Sequence, residues 1–119
     1  MSFPIGGNSG MRDRLLADLR ERLRRYRETG DAQVVLSHEA RWEAIALTGP
    51  HTGVDVEAYL AAAEVRWLAY RLADKDRDPR TRDADLRTAL TLYGAVLRAP
   101  DGDPDLVPAP VRLLLEQAG

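Results

Sequence analysis

Residues 56–73 read VEAYLAAAEVRWLAYRLA, the longest apolar-rich run in a chain of 119 residues. Val56, Leu60, Ala63, Trp67 and Tyr70 recur at steps of four, three, four and three, the spacing that gathers side chains on one stripe of an α-helix. Ala62, Val65, Ala69 and Leu72 fall beside and opposite that stripe. A helix apolar over most of its circumference needs neighbours on more than one side, so the run predicts the central helix of a bundle or helical array. Arg66 and Arg71 interrupt the apolar coat and are expected at edges that reach water. Asp55 is placed to cap the start, with Glu57 in the first turn, where negative charge is favoured.

Upstream of this run, a helix is predicted over residues 11–28, beginning at Met11 or Arg12 with Asn8 or Ser9 as cap. Leu16, Leu19, Leu23 and Tyr26 form its stripe, with Leu15 beside it. Its outer face carries Arg20, Arg22, Arg24, Arg25 and Arg27, tempered by Asp18, Glu21 and Glu28. Gly30 gives a C-terminal stop. Residues 31–36 read as a short connector, with Val34, Val35 and Leu36 tucked under neighbouring helices. The next helix begins at Ser37 and runs through Arg41, Trp42 and Ile45 to Leu47; a start at Asp31 would make it one longer helix. The segment TGPHTG at 48–53 breaks it, because Pro50 disfavours helix in the residue before it.

Downstream, residues 74–85 (DKDRDPRTRDAD) read as a charged connector. A helix follows from Arg82 or Asp83 to Arg98 on Leu86, Ala89, Leu90, Tyr93, Val96 and Leu97, closed by the breakers at 99–104. A last short helix runs from Ala109 or Pro110 to Gln117 on Val111, Leu114 and Leu115. No stretch alternates with period two for long enough to make a strand. The fold class expected is all-α: about five helices in antiparallel helix-turn-helix pairs, as an array or bundle.

One domain accounts for this length: residues 1–10 read either as a flexible leader or as a remnant added ahead of the native chain, the second of which would put the native start at Met11, and 11–119 as a single α-helical domain. Net charge is −2 and the pI is near 5.7, which argues against a nucleic-acid binder driven by bulk charge. The absence of cysteine excludes disulfides, thiolate metal sites and cysteine nucleophiles. No run approaches the roughly 20 apolar residues that span a bilayer. MSFPIGGNSG lacks the pattern of a secretory signal, and 16 arginines against one lysine are what a GC-rich coding genome gives. A cytoplasmic bacterial protein is expected.

Groups that could carry chemistry have plainer explanations. Asp74, Asp76 and Asp78 alternate as in the first half of a calcium loop, but Pro79 and Asp85 stand where that loop needs glycine and glutamate. A solvated, self-neutralising loop is expected instead, with no metal and no cofactor. His38 and His51 belong to no spaced metal motif, and Ser37, adjacent to His38, reads as a helix cap. The arginine face of the first helix could meet phosphates, yet pairs such as Glu21 with Arg25 would neutralise it, and no aromatics interleave to stack bases. Trp67 and Tyr93 fit a facing pair of central helices.

Tyr59, Ala62, Ala63 and Trp67, followed by Ala89, Tyr93, Val96 and Pro100, resemble a tetratricopeptide repeat, a helix-turn-helix unit with small residues where its helices touch. The wider pattern over residues 12–118 looks like helical modules of large bacterial proteins that also carry caspase-like (CHAT-type) protease domains or other effector domains. The resemblance implies a non-catalytic, regulatory module that binds a protein partner, an effector or protease domain, across the groove of its first helices. By that analogy Arg41, Glu64 and Arg71 are the partner-binding candidates. The alternative is a self-associating bundle using the leucine stripe of the first helix; a small nucleic-acid-binding regulator using its arginine face comes third. Trp67 is expected between the helix ending at Arg98, near Leu90 or Tyr93, and the helix starting at Ser37. A competing reading makes it an exposed anchor, because the repeat pattern sets its aromatic one place away.

Overall fold

The computed structural model describes residues 7–36, 56–72 and 78–118, which form five α-helices and one short 3-10 turn, with no strand among them. The helices are α1 (Gly7–Thr29), α2 (Ala32–Leu36), α3 (Val56–Arg71), α4 (Pro79–Arg98) and α5 (Ala109–Ala118), with the 3-10 turn at Pro104–Leu106. The all-α fold follows. Among the described residues no helix is long and apolar enough to cross a membrane. The expected helix over 37–47, with Ser37, His38, Arg41 and Trp42, lies outside the described residues, as do Asp55, His51 and the break at 48–53.

The apolar circumference of α3 is matched by its surroundings. It packs most extensively on α4, and also on α1 and α2. Ala58, Ala62, Ala63, Val65 and Ala69 are fully buried, and small side chains on so many faces let several helices approach it. Leu15, Leu16, Leu19 and Leu23 of α1, Ala89, Tyr93 and Val96 of α4, and Val111 of α5 are buried with it in the core. Two contacts fix the direction of α4: Arg82 Nε donates to the Tyr70 carbonyl oxygen, and Arg66 pairs with Asp85. Position rises in one helix as it falls in the other, so α3 and α4 are antiparallel. Against α1 the sense is reversed. Arg20 pairs with Glu57 and Arg27 with Glu64, both at an offset of 37 residues, so α1 and α3 run parallel.

Several local readings change. Helix α1 takes in residues 7–10, assigned by sequence to the leader, because each residue added to a nucleated helix gains a hydrogen bond. It ends as expected: Gly30 adopts φ 69°, and its N–H donates to the Tyr26 carbonyl at 2.8 Å. The connector at 31–36 is helical from Ala32, with Asp31 accepting from the Gln33 N–H, and Val35 is buried beneath its neighbours. The charged connector is shorter than its composition implied. Asp78 caps α4 by accepting from the Arg80 N–H, and Pro79 stands in the first turn, where its missing N–H costs nothing.

Two expectations are overturned by one interaction. Arg66 is not at a watered edge, and Asp85 is not in a solvated loop. Both are buried, and Arg66 Nη1 donates to Asp85 Oδ1 at 2.8 Å across the α3–α4 interface. Burying either charge alone would be costly, and the pairing offsets that cost. Arg71 is exposed, as expected.

Candidate functional site

A cleft of about 430 Å³ opens between α3, α4 and the stretch formed by the end of the 3-10 turn and the residues just after it. Leu60, Glu64, Trp67, Leu68 and Arg71 line it from α3, Tyr93 from α4, and Leu106 and Pro108 form its far lip. The five α3 residues are spaced four, three, one and three apart, which is one helical face. The volume falls within the range of ligand clefts.

The aromatic floor is built in layers. Trp67 is 8% exposed and stacks on Tyr70, with ring centroids 5.6 Å apart and planes inclined by 26°. The Arg82 guanidinium lies 4.5 Å above the Tyr70 ring centroid, a cation–π contact that anchors the layer to α4. Trp67 is therefore core that shows an edge to the cleft, rather than a free anchor. Tyr93, 2% exposed, lines the cleft beside it from α4; the helix expected on the other side of Trp67 lies outside the described residues.

The polar groups are few. Glu64 Oε1 accepts from Arg27 Nη2 at 3.1 Å, tying the cleft to α1. Burial pushes the Tyr93 hydroxyl well above the ordinary phenol range, and the negative charge of Glu64 adds to that, so the phenol stays neutral and can donate a hydrogen bond. Arg71 has no ion-pair partner among the described residues. The lip is held by the loop before it: Val107 is buried, Asp103 accepts from the Asp105 N–H, and Gly102 lies against the Val96 carbonyl.

Of the three candidates from the sequence, the cleft unites Glu64 and Arg71, while Arg41 lies outside the described residues. Leu68, Leu106 and Pro108 were not singled out. Leu106 stands two residues after one proline and two before another, a pattern that stiffens a loop and presents what it carries.

The arginine face of α1 is largely engaged with acids. Arg22 pairs with Asp18, Arg24 with Glu21 and Glu28, and Arg25 with Glu21 at 3.0 Å, the pair expected from spacing. Hydrogen bonding from Arg24, with Arg25 adding to it, draws the Glu21 carboxyl down to about 2. With Arg20 and Arg27 paired across to α3, little uncompensated positive charge is left on this face for phosphates. No group of three or more metal-ligating side chains occurs among the described residues.

Comparisons with protein-family models, with curated proteins and with solved structures found no match to this chain.

Proposed function

We propose that the chain is a non-catalytic protein-interaction module of a cytoplasmic bacterial regulatory or effector system, and that it docks a protein segment in the cleft on α3. One observation carries this reading: a single helix face presents half-buried Leu60 and Leu68, the carboxylate of Glu64 and the exposed guanidinium of Arg71 to an open cleft. An apolar floor with a few fixed polar groups suits recognition of an apolar side chain flanked by polar ones. Glu64 is already engaged by Arg27, and the Tyr93 phenol is held neutral, so these groups orient a partner rather than activate a nucleophile.

The resemblance to tetratricopeptide modules gains support from the direction of the helices. Parallel α1 and α3 at a constant offset of 37 residues are what successive helix-turn-helix units would produce, near the 34-residue period of that repeat. An effector or protease domain is the partner class the resemblance implies.

Selection of binding peptides from a displayed library tests the cleft directly. Peptides selected on the wild-type chain should lose at least tenfold in affinity for Leu106→Glu and Arg71→Glu, two exposed positions whose substitution should leave the melting temperature nearly unchanged. Equal binding by both variants would remove the cleft assignment.

A further inference from the structure

We infer that the cleft face of α3 is self-complementary and docks a second copy of this chain, antiparallel, about a twofold axis between Trp67 and Leu68. The inference rests on the docking reading above and names the partner.

Glu64 and Arg71 stand symmetrically about the midpoint between Trp67 and Leu68. They are seven residues apart, which is about 10 Å along the axis at a rise of 1.5 Å per residue, and only about 20° apart around it. Trp67 and Leu68 fall on either side of the line joining them. A helix laid antiparallel on this face must offer a cation opposite Glu64, an anion opposite Arg71, and apolar groups between. Read in reverse, α3 supplies that order: Arg71, Leu68, Trp67, Glu64. A twofold axis then forms each ion pair twice, Glu64 of one protomer with Arg71 of its partner and the reverse, the mutual contact of an isologous interface.

The Arg27 pair uses Oε1 of Glu64, which leaves Oε2 for a second guanidinium. Leu106, 57% exposed on the lip, is the apolar projection available to enter the cleft of the other copy. A surface of one helix face and one loop is at the small end of specific interfaces, so the dimer is weak and salt-sensitive.

Light scattering of the full chain from about 1 µM to about 1 mM spans the affinity such an interface gives. The expected result is a mass rising from that of one chain toward twice that value, and falling back with added salt. Glu64→Arg and Arg71→Glu should each stay monomeric, because each homodimer would set like charges opposite. An equimolar mixture of the two should regain the dimer, since each then offers what the other lacks, and the double swap in one chain should regain it alone. The mixture also serves as a folding control, because only two folded partners can restore the mass. A wild-type monomer at the highest concentration, dimers unaffected by the single reversals, or a mixture that stays monomeric would overturn the inference. A monomeric wild type that still binds cleft-directed peptides overturns the second-copy partner alone; loss of peptide binding specificity as well removes the cleft reading beneath it.

Discussion

Arg66 and Asp85 place two opposite charges inside the α3–α4 interface, paired at 2.8 Å. Asp85→Ala leaves a buried guanidinium without its carboxylate and should cost about 3–5 kcal/mol, whereas Arg66→Met with Asp85→Leu should be near neutral or stabilising. Urea denaturation of the singles and the double gives the coupling; singles that cost under about 1 kcal/mol would mean that the pair is solvated. The pair was hidden in the sequence because an arginine in an apolar run is ordinarily an edge residue. Its partner also looked like part of a loop. Trp67, by contrast, was legible as core from its stripe, and its stack on Tyr70 follows from the three-residue spacing. At Tyr93 burial raises the phenol above its ordinary value of 10.0, so folding favours the neutral form. Below that value both states carry the proton and the stability is intact. Above it the unfolded chain ionises first, so stability falls as pH rises, by up to about 1.4 kcal/mol per pH unit. Melting followed from pH 8 to pH 11 should show this loss, and Tyr93→Phe should flatten it; an identical alkaline loss in the variant would place the effect elsewhere.

Helix periodicity exposed every described helix of ten residues or more, because each buries a stripe at the 3.6-residue repeat. Capping chemistry was the weaker signal. Asp78-Pro79 is a cap followed by a first-turn proline, yet charge on both sides made it read as loop. The 3-10 turn at Pro104–Leu106 was masked in the same way, since prolines and glycines signal a break without saying what the chain does after it. That segment forms the lip of the cleft, and Gly102 sets its position. A Cβ at Gly102 would lie 1.8 Å from the Val96 carbonyl oxygen, an overlap that only backbone movement relieves. Gly102→Ala should therefore cost on the order of 1–3 kcal/mol and displace Leu106 and Pro108. Thermal melting and peptide affinity should both fall; an unchanged melting temperature would show that the loop accommodates a side chain freely.

At the scale of the whole molecule, the all-α fold and the central place of α3 could be read from one apolar run, because a helix coated on most sides must be surrounded. The cleft could be read only in part. Glu64 and Arg71 came from a resemblance, while the lip that turns their helix face into a cleft depends on how a proline-rich loop folds back beside residues some forty positions earlier. Parallel α1 and α3 are joined by Arg20–Glu57 and Arg27–Glu64, which offset charge on the arginine face, and the proposed docking therefore falls on the cleft face of α3. Amide chemical-shift mapping during titration with a peptide selected on the wild-type chain measures this most directly. Docking in the cleft should give shifts concentrated at residues 60–71, at Tyr93 and at 106–108, with α1 from 20 to 27 moving little except at Arg27; shifts centred on the arginine face of α1, with 60–71 unmoved, would contradict docking there.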